Sequence, residues 1–374
     1  MSFEAAEMAL QLTCPGNKLL YDDTGMPSAF VYIPKFRLCD VLSTDDTAVH
    51  PAFRVNGQEI DGIYVGKFQT RHYNDRAYSL PCEDPSVSKG LNTFVACNRE
   101  KGSNYHEITN AEWAAVALWC HKHGCEPKGN NNYGKDSSET LYLAIPSMER
   151  DGSNRIQRVA TGTGPMSWSH DRSMAGIWDL NGNVNEWCTG MRLVKGELQV
   201  LPDNNAADPG ADLSASSGAW KAVNANATGS NDLYLTPDGN GTTTGSVKLD
   251  YINSKWTWST SITSSDDSGR SCAFKNILTD ATISDTAKKL LMALALLPDT
   301  ALTGDNIDAN YGEDTFMANN AANERCLYRG GSWVSGAGSG TVSGIFCTYI
   351  YYERGNAFLT VGGRSAFIEP QLEE

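Results

Sequence analysis

No apolar run in the 374 residues approaches the ~18 that a bilayer-spanning helix requires, so no membrane-spanning helix is expected. Positive charge is also scarce. Lys and Arg number 30 against 44 Asp and Glu, and the formal net charge of −14 offers no field to phosphate backbones or anionic membranes. The expected partners are therefore proteins, sugars or other surface ligands, with no nucleic acid among them. Met1 to Leu12 lacks the basic start and long apolar core of a secretion signal. It carries Glu4 and Glu7 instead and reads as a short amphipathic helix, so export by the standard signal route is not indicated. The ten cysteines include no CxxC pair, which argues against a zinc ribbon or a thioredoxin-like motif; in a reducing compartment most of them are buried small hydrophobes. The six histidines form no cluster. His121 and His123, two apart at a helix end, read as solvated charges. No internal repeat and no heptad run is present.

A chain of this length holds two ordinary cores or one large domain with insertions. Phe30-Val31-Tyr32-Ile33-Pro34 and Gly62-Ile63-Tyr64-Val65-Gly66-Lys67-Phe68 are β-branched and aromatic runs bounded by Pro and Gly, the pattern of strands. Ile108 to Gly124 is the clearest helix. Thr109 and Glu112 make a capping box, Trp113, Val116, Ala117 and Cys120 share a face, and Gly124 supplies the stop. From about residue 191 to 319 the composition shifts to Asn, Asp, Gly, Ser and Thr, which favours turns. Two ordered islands interrupt it: a hairpin around Trp256 and Trp258, and a helix from Ser284 to Leu297 with Ser284 or Asp285 as its cap. The fold class is α+β. The reading places an N-terminal helix and lead-in at residues 1–27 and one domain over 28–374, carrying an insertion at about 191–319.

Two glycine motifs hold most of the functional information. One is Gly176-Ile177-Trp178-Asp179-Leu180-Asn181-Gly182-Asn183-Val184-Asn185-Glu186-Trp187. The other runs from Arg329-Gly330-Gly331-Ser332-Trp333, through an aromatic-rich stretch, to Gly362-Gly363-Arg364-Ser365-Ala366-Phe367. Together they resemble the C-type-lectin-like fold shared by formylglycine-generating enzymes, the sulfatase-modifying factors, and the variable proteins of diversity-generating retroelements. The resemblance implies structural roles for Arg329, Trp333 and Arg364. It also implies a calcium ion held by the Asp179 and Glu186 side chains and the Gly182 and Val184 carbonyls. The residues themselves favour a metal-free corner over the ion, with Asn183 and Glu186 bonding backbone groups and Trp178 and Trp187 filling the core. Gly363 departs from both families, which place an aromatic there.

The enzymes of this superfamily need two thiols, two and seven residues after the motif's aromatic, to bind copper. Those positions are Ser335 and Gly340 here, so the catalytic resemblance fails while the fold resemblance stands. The alternative activity, a formylglycine-generating or sulfatase-modifying oxidase, would have to work without that pair. The segment from about 329 to 367 instead resembles the variable region of retroelement-diversified proteins, in which adenine-directed mutagenesis converts Asn codons to Tyr, Phe, Leu, Thr, Ser or Val codons, among others. Carried over residue by residue, the framework is Ile345, Phe346, Ile350, Arg354, Val361 and Arg364. The ligand-contacting variable positions are Val334, Ser335, Tyr349, Tyr351, Tyr352, Asn356, Phe358, Leu359 and Thr360. Rigid amphipathic rings beside adaptable polar groups suit a binding surface. A buried strand with Tyr349 and Tyr351 pointing inward satisfies the same spacing. The resemblance implies a non-catalytic receptor-recognition protein at a phage tail tip or on a bacterial surface, bound to a protein or carbohydrate of a host or partner cell.

Overall fold

In the computed structural model, residues 3–299, 311–337 and 342–370 are described. The architecture is mixed α and β, mostly sheet with few helices. Five strands form one antiparallel sheet in the order Asn17–Tyr21, Pro27–Pro34, Gly62–Gly66, Ser365–Phe367, Tyr105–Glu107. The C-terminal strand is thus inserted between two early ones, and the chain's ends are tied together. The lead-in drawn at residues 1–27 needs correction: Asn17–Tyr21 pairs along its length with Pro27–Pro34 and is the sheet's edge strand.

The second sheet is built around Asn185–Val194, which follows the first glycine motif. Arg325–Arg329 pairs antiparallel with it on one side and carries the pairing onward to Thr348–Tyr352. Strands of the 191–319 segment extend the same sheet at both ends. Glu197–Val200 and the hairpin Lys248–Ile252 with Lys255–Ser259 continue it one way, while Thr315–Ala318 and Arg270–Ala273 continue it the other. The hairpin turns at Asn253 and Ser254, both with positive φ, the geometry a two-residue turn requires. Trp256 and Trp258 are fully buried in the same core cluster as Ile63, Val65, Trp113 and Cys188, so the segment shares the core of its flanks.

The capping-box helix, Asn110–Lys122, forms as its local residues dictate. Thr109 Oγ1 accepts from Glu112 N at 3.1 Å, Glu112 Oε2 accepts from Thr109 N at 3.0 Å, and Gly124 takes φ +63° at the stop. The expected single apolar face is too narrow a description. Residues 110 to 118 are all buried, as befits a helix enclosed by core on every side, and Trp113 Nε1 donates to Ile345 O at 2.8 Å. The second expected helix is Asp285–Ala293 with Ser284 as N-cap. Just past its end, a fully buried Arg329 holds the turn: the guanidinium donates to Leu294 O, Ala295 O and Asn110 Oδ1. Arg329 therefore pins the helix of the insertion to the capping-box helix. His121 is half-buried rather than solvated, since its ring stacks on Tyr311 at 3.9 Å and Nδ1 lies 2.6 Å from Glu126 Oε1. Seven of the ten cysteines are buried and all ten are free.

Candidate functional site

The two glycine motifs meet directly. Gly330 and Gly331 hold φ of +88° and +77°, and a Cβ on Gly330 would come within 2.7 Å of Leu180 O, so only glycine lets the two segments approach. Gly182 N donates to Gly330 O, and Trp333 N donates to Asn183 O. Arg364 is fully buried. It forks onto the Glu186 carboxylate through Nε and Nη2, both at 2.7 Å, and its remaining donors reach Gly66 O and Trp178 O. Arg329, Trp333 and Arg364 are all buried. At Gly363 a Cβ would meet Glu107 Oε1 at 2.1 Å and the Phe94 ring at 2.6 Å. The volume that an aromatic would take at 363 is already filled by Phe94, brought in by the helix Leu91–Arg99.

The four residues assigned to calcium do converge, but on an amide. Gln69 Nε2 lies 3.0 Å from Asp179 O, 3.3 Å from Gly182 O, 2.9 Å from Val184 O and 2.9 Å from Glu186 Oε1. The orientation of the amide is forced, because Asn183 Nδ2 donates to Gln69 Oε1 at 2.9 Å and a flipped amide would set an oxygen among four oxygens. Asp179 contributes its carbonyl rather than the expected carboxylate. That carboxylate turns away to accept from Gly162 N at 2.8 Å through Oδ2, while Oδ1 is buried without a partner. Desolvation raises the Asp179 carboxyl to about 6, against the weaker opposing pull of its Gly162 N–H bond. With Gln69 in place, the set does not fit a calcium ion: the centre holds a nitrogen donor and Glu186 is already neutralised by Arg364. Nothing in the glycine motif signals this, since Gln69 lies far upstream, just past a strand.

The expected contact residues divide by depth. Tyr349 is 6% exposed and Ser335 6%, so both leave the candidate surface. For Tyr349 the cause is a register shift in the strand Arg325–Arg329, where Cys326 faces Tyr352 but Tyr328 faces Tyr349. The bulge gathers three tyrosines around Tyr328, and burial then falls along the strand rather than alternating: Tyr349 and Ile350 are inside while Tyr351 and Tyr352 are half-buried. Rings stack outward in sequence. Trp187 meets Tyr328 edge-on at 5.3 Å, Tyr328 stacks with Tyr352 at 5.3 Å, and Tyr352 stacks with Phe358 at 4.1 Å. Burial raises the Tyr349 and Tyr328 hydroxyls far above their usual range, as expected of rings held in the interior. Ser335 Oγ accepts from Ser332 N at 2.9 Å and so closes the turn after Gly331.

Beyond Tyr352 the chain turns at residues 353–356, where Asn356 Oδ1 accepts from Glu353 N at 2.8 Å; half-buried, Asn356 secures the turn. Phe358 and Thr360 are half-buried as well, and Leu359 is 60% exposed. The backbone beneath is held at several points. Ser88 N donates to Phe358 O, Leu91 N to Arg354 O and Asn185 N to Thr360 O. Arg354 forks onto Glu324 at 2.8 Å through both nitrogens, and Glu324 also receives Arg192. Val334 is also half-buried, and beside it Arg158 joins Trp333 to this face: its guanidinium lies over the Trp333 ring at 5.7 Å and reaches Leu359 O at 3.5 Å while forking onto Asp84. Tyr328, Glu324 and Arg158 are the supporting residues that sequence reasoning missed. Of these, only Tyr328 carried a signal, standing next to the Arg-Gly-Gly motif.

The remaining framework positions Ile345, Phe346, Ile350 and Val361 are all buried. Gly340 lies outside the described residues. No helix among the described residues is long and apolar enough to cross a membrane. No protein-family model matches the chain, and no curated protein matches it either.

Proposed function

We propose that the chain is a non-catalytic ligand-binding protein of C-type-lectin-like fold, formylglycine-generating-enzyme subtype. In this reading its C-terminal face is diversified by a retroelement and recognises a protein or carbohydrate from a phage tail tip or a bacterial surface. One observation carries the reading: the half-buried side chains at 351, 352 and 358 and the exposed Leu359 stand on a backbone fixed from below by main-chain bonds and the Arg354–Glu324 fork. Such a base keeps its shape while the groups above it are exchanged, which is what a pre-organised recognition surface needs.

The chemistry around the second motif favours binding over oxidation. Ser335 stands where the enzymes place their first thiol, and its hydroxyl is committed to the Ser332 turn. Cys347 is buried, its thiol pushed up by desolvation and donated to Val342 O. The test is a library with positions 351, 352, 358 and 359 opened together. The expected outcome is that most members fold and melt near the parent while their ligand preferences differ. General loss of folding across the library would refute the proposal. So would neighbouring DNA without a repeat of residues 329–367 that differs only at adenines.

A further inference from the structure

A cavity of about 550 Å³ lies far along the chain from the C-terminal face, with every lining residue drawn from positions 15 to 175. Its volume is that of a small-molecule site. Val31, Ile33 and Val116 give it an apolar floor, and Trp119, half-buried, gives it an aromatic wall. Trp119 is braced by His123, which stacks on it at 4.2 Å and bonds Trp119 O through Nδ1 at 2.8 Å.

The polar group that decides the ligand is His170. It lines the cavity, is 5% exposed and lies 5.4 Å from Trp119, ring to ring. Its Nδ1 accepts from Ile177 N at 2.8 Å, so the proton of the neutral ring sits on Nε2. Nε2 has no protein partner among the described residues. Burial lowers this imidazole to about 4, which keeps it a neutral, single donor at ordinary pH. The charged groups of the lining are largely engaged. Lys35 pairs with Glu59 and Asp61, both Asp171 oxygens accept from Ser169 or Ser173, and Asp40 accepts from Arg37 N. The cavity therefore offers an apolar floor, an aromatic wall and one directed N–H from a buried ring, while its lysine, Lys35, is already paired and the exposed His123 is turned to Trp119 O.

We propose that this cavity binds a small uncharged aromatic molecule whose carbonyl or hydroxyl oxygen accepts from His170 Nε2–H, independently of anything bound at the C-terminal face. Benzamide serves as the probe and benzoate as its charged counterpart. In nitrogen-detected NMR of the full chain, benzamide is expected to shift the His170 Nε2 resonance saturably. The variant His170→Asn keeps an oxygen for Ile177 N but removes the outer donor. It is expected to melt as the parent does and to bind benzamide about fivefold to tenfold more weakly, the loss of one hydrogen bond. The proposal fails if benzamide leaves Nε2 unshifted up to its solubility limit, if His170→Asn binds it as tightly as the parent, or if benzoate binds equally well.

Discussion

Removing the Gln69 amide should destabilise the protein severely, and calcium should not stabilise the parent. Gln69→Leu keeps the volume but deletes the donor that serves the carbonyls of Asp179, Gly182 and Val184 and one oxygen of Glu186, together with the acceptor for Asn183. Glu186 retains Arg364, so the principal loss is three buried carbonyls left without a partner. At about 1–3 kcal/mol for each buried group left unsatisfied, and with two amide protons shared among the acceptors, the expected cost is about 3–6 kcal/mol. That is a large fraction of a stability of roughly 5–15 kcal/mol. The assay is thermal melting in EDTA and in millimolar calcium. The parent should melt identically in both, because a ligand raises stability only by binding the native form. Gln69→Glu, which adds a carboxylate to the cage, should melt lower than the parent in EDTA and recover with calcium. A parent destabilised by EDTA, or a Gln69→Leu variant as stable as the parent, would refute the amide-centred cage.

Further outcomes follow from the same geometry. Asp179 is raised to about 6 in the folded state against 3.8, so its contribution to stability is full below the unfolded value and is lost as pH rises through about 6. Asp179→Asn should remove that loss, read as a flatter profile of melting temperature against pH. Asp314, raised to about 8 chiefly by desolvation, adds a loss of the same sign at higher pH, and Asp314→Asn should flatten that limb. Arg329→Lys cannot fork between Asn110 and the Leu294 and Ala295 carbonyls just past the Asp285–Ala293 helix. Losing two charge-assisted hydrogen bonds should cost about 3–6 kcal/mol, and hydrogen exchange should show that helix opening first.

Much of the scaffold was legible because its signals are local. A capping box is written in four residues, so Thr109 and Glu112 located the start of the central helix, and Ser284 did the same for the helix of the insertion. The glycines at 330 and 331 marked a close approach that the structure places against Leu180 and Ser343. What stayed hidden depends on partners distant in sequence. Gln69 follows an ordinary strand, and its meaning comes only from carbonyls more than a hundred residues later. The edge strand Asn17–Tyr21 carries too little alternation to separate it from the helix before it. The solvated reading of His121 failed for the same reason, since nothing near it in sequence announces Tyr311. At Gly363 the missing aromatic was replaced from another element, by Phe94, which no local pattern reports.

The register shift at Cys326–Tyr328 bears most directly on function, because it decides which aromatic positions are free to change. Period-two reasoning would set Tyr349 and Tyr351 on one face and Tyr352 on the other, yet the shift brings all three rings to Tyr328 and grades them by depth. Tolerance should follow that gradient. Tyr349→Ala opens a cavity among Tyr328, Cys347 and Trp187 and should cost about 3–5 kcal/mol, whereas Leu359→Ala should stay within about 0.5 kcal/mol. A diversifying mechanism that rewrote 349 as freely as 359 would discard most of its products as unfolded chains. If the C-terminal face is diversified, sibling copies of this chain should therefore hold an aromatic at 349 and a small hydroxyl residue at 335 while 351, 352, 358 and 359 vary. Siblings that scramble 349 and 335 as widely as 359, and still fold, would show that the ring stack does not constrain recognition in this way.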